Sequence, residues 1–213
     1  AAAPRSNSVF EAHSDLLRAR ERELAEAIEQ QAATSEILRV ISESPTDVQP
    51  VFQTIASAAM RLCDAQSANV FTFDGRLLRI GAMALAKPEA VNAIRQVFPR
   101  PPDRGSAASR AVLTRDVVAI QDVLVDPDYV FKGMAEVGFR SVLGVPLMRE
   151  GAPIGAIAIG RSEAGPFPKR QIALLQTFAN QAVIAIENVR LFKELEARSA
   201  ALSRSVDELR ALG

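Results

Sequence analysis

Polar and apolar residues repeat along this chain with two periods. From about Ser14 to Ser44 it lacks Gly and Pro and is dense in Ala, Glu, Arg, Gln and Leu, which favour helix. Leu17, Leu24, Gln31 and Leu38 recur every seven residues, with Glu21, Ile28 and Ser35 at the alternate seam positions. This imperfect heptad predicts a helix that pairs with another. The residues before it, 1–13, have no sustained period and read as a flexible leader. Pro45 disfavours helix at Ser44, and Thr46 with Gln49 has capping-box spacing, so a second helix starts there. Phe52, Ile55, Ala59, Leu62 and Cys63 share one face of it, which predicts an amphipathic helix lying on a core.

The period then shortens to two. "SANVFTFDGRLLRIGAMAL" reads as two strands joined at Asp74-Gly75, a dipeptide suited to the positive φ of a hairpin. Short helices are expected in "KPEAVNAIRQVFPRPPDRG", before its proline-rich end, and in "SAASRAVLTRD"; "VVAIQDV" is a strand entering the loop "LVDPDYVFKGMAEVG". "FRSVLGVPLMREGAPIGAIAIGRS" is apolar on both faces and turns at Glu150-Gly151, as expected for interior strands covered on both sides. Ala156, Ala158 and Gly160 share one side and suit a closely packed helix, while Gly155, Ile157 and Ile159 share the other. From Phe167 onward one long helix is predicted, with Pro168 near its start, where a missing amide costs little. Its seam of Gln181, Asn188, Leu195, Leu202 and Leu209, interleaved with Phe178, Ala185, Phe192, Ser199 and Val206, is small or polar first and strongly apolar from Phe192. The helix should therefore pack on the domain and then leave it as a coiled coil. The expected division is a leader at 1–13, an N-terminal helix at 14–44, an α+β domain at 45–187 with a mostly antiparallel sheet, and a C-terminal coiled-coil helix at 188–213.

Composition narrows the function. The 213 residues carry 25 Lys+Arg against 25 Asp+Glu, so no general attraction to nucleic acid or an anionic membrane is expected. No apolar run is long enough for direct membrane insertion. A single cysteine excludes an internal disulfide framework and points to a reducing compartment, with the cytoplasm as the default. The start at Ala1 and the unfinished helical pattern at the end suggest an excerpt of a longer protein.

Candidate chemistry is sparse. Gly151, Gly155 and Gly160 lie within a hairpin and lack the spacing of a phosphate-binding loop, so a turn and close packing explain them better. His13 is the lone histidine, and no metal site can be assembled around it. Cys63, on an apolar helix face without a histidine to activate it, reads as a buried packing residue. No acid/base pair or oriented nucleophile emerges, so no catalytic residue is assigned and the fragment is expected not to be an enzyme. The best ligand-pocket candidate is "QDVLVDPDYVFKGMAEVGFRS", which gathers Asp122, Asp126, Asp128, Tyr129, Phe131, Phe139, Arg140 and Ser141. An alternative weighed equally is that Asp126-Pro127-Asp128 makes a turn and the aromatics plug the sheet face. Arg104 and Arg110 beside "GSAAS" could receive an anion or face solvent.

Taken in order, "PVFQTIASAAMRLCDAQSANVF", "AVLTRDVVAIQDVLVDPDY", "FRSVLGVPLMREGAPIGAIAIGRSEAGPF" and "LLQTFANQAVIAIENVRLF" resemble a GAF domain, the small-molecule sensor module of bacterial signalling proteins. The resemblance spans about Thr46 to Phe192. It implies a six-stranded antiparallel sheet with helices on both faces, the terminal helices on one and a ligand pocket on the other. "EQQAATSEILRVISESPTDVQPVF" resembles the entry segment of sensor histidine kinases. The flanking helices resemble signalling helices that pair as parallel dimers and join a covalently linked output domain. The implied dimer contacts are Leu17, Leu24, Ile28, Phe192, Leu195, Leu202, Val206 and Leu209. A covalent bilin is not expected, because Cys63 should face the helix layer and not the pocket. Sulfoxide-reductase relatives need pocket-side cysteines that this chain lacks, and the Asn-Lys-Phe-Asp-Glu signature of cyclic-nucleotide binders is absent. The expectation is a non-catalytic cytoplasmic sensor and dimerisation module without a cofactor, in a sensor histidine kinase. The alternatives are a ligand-free dimerising spacer or a regulatory domain of a nucleotide cyclase.

Overall fold

A computed structural model describes residues 5–132 and 139–211. The elements run α1 (Arg5–Glu43), α2 (Gln49–Leu62), β1 (Ser67–Phe73), β2 (Leu78–Leu85), α3 (Glu89–Val97), α4 (Ala107–Thr114), β3 (Val118–Ile120), β4 (Ser141–Arg149), β5 (Ala152–Arg161) and α5 (Lys169–Ala211). Helix α1 opens at Arg5, ahead of the expected Ser14, and exposed His13 lies within it. The α2 start is held not by Thr46 but by Asp47, whose Oδ1 accepts from the Gln49 amide at 2.9 Å, with Pro50 in the first turn where its missing donor costs nothing. Pro168 stands just outside α5, its carbonyl accepting from the Gln171 and Ile172 amides.

One sheet, in the order β2-β1-β5-β4-β3 with every pair antiparallel, organises the domain. Five strands are present among the described residues, a correction to the six expected. Beside β2, the chain makes only an isolated bridge between Leu78 and Arg100. Pro99, Pro101 and Pro102 surround Arg100 and have no amide to donate, so this edge cannot propagate into a ladder. The β4–β5 hairpin closes in two residues, Glu150 and Gly151, both at positive φ (50° and 79°), as a turn matched to sheet twist requires. At Asp74-Gly75 the connection is longer: Asp74 Oδ1 accepts from the amides of Arg76 and Leu77 at 2.9 and 2.7 Å.

Both sheet faces are covered. Val70, Leu143, Val145, Leu147, Ile157 and Ile159 form one core with Phe52 and Ile55 of α2, Leu175 and Phe178 of α5, and Ile37 of α1. Phe52 and Phe178 are completely buried, and truncating side chains so placed costs about 3–5 kcal/mol. On the opposite face, Ala156 and Ala158 of β5 pack with Phe71 and with Ala108 and Val112 of α4. The helix comes this close because Gly144 lacks a Cβ, which would otherwise stand 2.4 Å from the Ala107 carbonyl oxygen.

The long helices each divide into a docked and a free part. In α1, Ala33, Ile37 and Ile41 dock on the domain, whereas Leu17, Leu24, Ile28 and Leu38 are exposed. In α5, burial ends at Val189, and Ile184, Leu191, Leu195 and Leu202 form an exposed apolar stripe. Phe192 is half-buried, so Leu191 takes the stripe position expected of it. The side chains of Val206 and Leu209 lie outside the described residues. The helices are long, as expected; a coiled coil is not among the observed features.

Candidate functional site: a cavity between the sheet and α4

Strand β1 alternates, so Ser67, Asn69 and Phe71 all point to the α4 side. Asn69 pairs across the sheet with Ala158, and Ser67 with Gly160; these small neighbours leave space above the sheet. The first turn of α4, Ser106 to Ala108, forms the opposite wall, and Ser106 Oγ caps that helix by accepting from the Ser109 amide at 3.1 Å. Phe98, Tyr129, Phe131 and Phe139 supply its further aromatic walls, with Ile94, Val97 and Val142 among the aliphatic ones. The resulting cavity measures about 70 Å³. Its rings are mutually packed: Phe71 and Phe98 lie 4.8 Å apart, and Tyr129 meets Phe131 edge-on at 5.9 Å.

Asn69 is 7% exposed, and its Oδ1 has no hydrogen-bond partner among the described residues. An unpaired buried acceptor costs about 1–3 kcal/mol, which makes this the least satisfied point of the wall. Tyr129 is also buried, and burial pushes its phenol up to about 12, so it stays neutral across the physiological range. No charged side chain lines the cavity among the described residues.

The residues expected from sequence separate into two groups. Tyr129, Phe131 and Phe139 reach the cavity. Asp122, Asp126, Arg140 and Ser141 do not line it, because their polar groups are engaged in holding the loop. Asp126 receives both terminal nitrogens of Arg110, at 2.6 and 2.8 Å, while its Oδ1 also accepts from the amides of Asp128 and Tyr129. The Arg110 guanidinium, through that hydrogen-bonded pair, holds the Asp126 carboxyl down at about 2. Arg140 likewise grips Asp122, at 2.6 and 3.2 Å, and lowers its pKa. Ser141 Oγ donates to the Glu163 carbonyl at 2.7 Å. Arg104 and Arg110, considered as anion receivers, are instead paired with Asp128 and Asp126. The alternative turn at Asp126-Pro127-Asp128 is thus present together with aromatic packing on the sheet face.

Asn69, Ser67, Ser106 and Phe98 were not singled out by sequence. The available signal was the strand alternation that places two polar residues on an otherwise apolar face. Cys63 is buried in the helix-side core, and burial pushes its thiol up to about 12. Among the described residues no group of three or more His, Cys, Asp and Glu could hold a metal ion.

A family model for the GAF domain matches residues 45–187. The chain belongs to the GAF domain family. Its fold is similar to the GAF domain of a phosphoenolpyruvate-protein phosphotransferase from Coxiella burnetii, at 15% identity and a TM-score of 0.63, over 79% of this chain and 98% of that one. It is also similar to free methionine-R-sulfoxide reductase from Neisseria meningitidis in complex with its substrate (16%, TM-score 0.62, 76% and 90%). A structure of part of a methyl-accepting chemotaxis protein matches at 23% identity and a TM-score of 0.58, over 76% and 98% of the two chains. At these identities the likeness is one of fold. No curated protein matches the chain. As a GAF domain the chain is a signalling sensor module, and no helix among its described residues is long and apolar enough to cross a membrane.

Proposed function

We propose that this GAF domain is a non-catalytic, cytoplasmic sensor and dimerisation module in a sensor histidine kinase. A small molecule entering the cavity between β1 and α4 biases the geometry of α5, which passes the change to a covalently linked output domain. The observation that carries the reading is the buried, unpartnered Asn69 in an aromatic-walled cavity, on the sheet face opposite the helices that leave the domain. Coupling has a short physical route, because β5 places Ala156 and Ala158 on the cavity side and Ile157 and Ile159 against the core shared with α5. Relay still requires two helix arrangements that the ligand binds unequally. In this reading the domain takes no cofactor and carries no catalytic residue; Tyr129 is the one titratable group among the described lining residues. A homodimer through α1 and α5 is supported by the exposed Leu17, Leu24, Ile28, Leu195 and Leu202, since covering the exposed part of each would yield about 1–2 kcal/mol.

The small cavity favours one competing reading, a ligand-free dimerising spacer. A thermal-shift screen of metabolites separates the two, run on the natural chain and on Ala158→Leu, which fills the cavity. The sensor reading expects at least one compound to raise the melting temperature of the natural chain and leave the variant unmoved. A screen without hits, or hits equal in both proteins, contradicts it.

A further inference from the structure

We infer that the cavity of this sensor takes a small, uncharged, ring-sized molecule whose hydroxyl or N–H donates a hydrogen bond to Asn69 Oδ1. The inference rests on the sensor reading and adds the ligand's chemical class. Three features of the wall define that class. The first is size: about 70 Å³ falls well below the roughly 300–1,000 Å³ of sites for drug-sized ligands, so a nucleotide is too large and a single ring is near the limit. The second is apolar character, from Phe71, Phe98, Phe131 and Phe139 with Ala158 and Gly160 beneath. Aromatic walls favour a flat, apolar guest through edge and offset contacts.

The third is the polar inventory. Asn69 lines the cavity and is more than nine-tenths buried, and its Oδ1 has no donor among the described residues. The first turn of α4 lines the same space, and the partial positive charge of a helix start suits the lone pairs of the group that does the donating. A hydroxyl satisfies both at once. A carboxylate does not: it cannot donate to Oδ1, and its full charge would leave water without a cationic side chain among the described lining residues.

Three probes with one ring isolate these terms: phenol, toluene and benzoate, titrated by ligand-observed NMR against the natural chain and against Asn69→Leu. Leucine keeps the branched heavy-atom skeleton of asparagine, puts bulkier methyl groups in place of the amide oxygen and nitrogen, and removes the hydrogen-bonding group, so toluene serves as the control for the space left in the variant. The expected result is phenol binding about fivefold or more tighter than toluene to the natural chain, the worth of one net hydrogen bond, with benzoate weakest. In Asn69→Leu the phenol preference should vanish while toluene still binds, which also shows that the variant is folded. Benzoate binding tightest, or a phenol preference that survives in Asn69→Leu, overturns the ligand class and leaves the sensor reading standing. No binding of any probe at millimolar concentration also overturns it, while the sensor reading stands or falls separately on the metabolite screen.

Discussion

Asp126 is a short side chain with four hydrogen bonds to accept, two from Arg110 and two from backbone amides, and through the amide of Tyr129 it sets a wall of the cavity. Its pKa of about 2 in the folded chain lies below the ordinary value of 3.8. The stability it contributes is therefore complete above pH 4 and lost as the pH falls from about 4 through about 2. Melting curves should show the natural chain losing stability more steeply over this window than Asp126→Asn, which has no carboxylate to protonate. Equal slopes would mean that the pair with Arg110 holds nothing in solution. Sequence placed Asp126 and Tyr129 in one loop with Arg140, and Arg110 apart from them beside a helix start, but could not say which would face a ligand. That depended on pairing across sixteen residues of chain, which no local pattern encodes. Asn69 escaped notice for the opposite reason: a polar residue within a strand usually faces solvent, and only the first turn of α4 together with Phe98, Tyr129, Phe131 and Phe139 makes it internal.

The elements were far more legible. Heptads, alternation, the continuous apolar run of β4 and β5 and the turn residues between elements made the helices and strands legible in residue order, although α1 opens at Arg5 and not at Ser14. Two details required tertiary contact. The sixth strand, inferred from resemblance, is blocked by Pro99, Pro101 and Pro102 at the β2 edge. The glycines of the β4–β5 hairpin divide by role. A Cβ on Gly155 would lie 2.1 Å from the Phe71 carbonyl oxygen, whereas one on Gly151 meets nothing but must accept φ 79°. Gly155→Ala should thus push β1 and β5 apart and cost about 1–3 kcal/mol or more, as overpacking does. Gly151→Ala should cost about 1 kcal/mol from backbone strain alone. Chemical denaturation of both variants checks the order, and a larger loss for Gly151→Ala would refute the packing account of Gly155.

At the scale of the molecule, the two sheet faces have different tasks. One carries the cavity; the other carries the core that α1, α2 and α5 share. Beyond that core the long helices expose apolar residues: Leu17, Leu24, Ile28 and Leu38 on α1, and Ile184, Leu191, Leu195 and Leu202 on α5. Ile37 docks while Leu38 faces outward, so docking and the exposed seam use different faces of α1 and do not compete. A sensor of this design needs the free stripes to pair and the pairing to respond to the cavity. Both are read by pulsed dipolar spectroscopy on Ala197→Cys carrying a nitroxide, an exposed site off the α5 stripe; native Cys63 is buried and protonated and should stay unlabelled. The account predicts a dominant distance between the two protomers that shifts when a compound that raises the melting temperature is added at saturation, and does not shift in Ala158→Leu. No inter-protomer distance, or one unchanged by a saturating ligand, would contradict it.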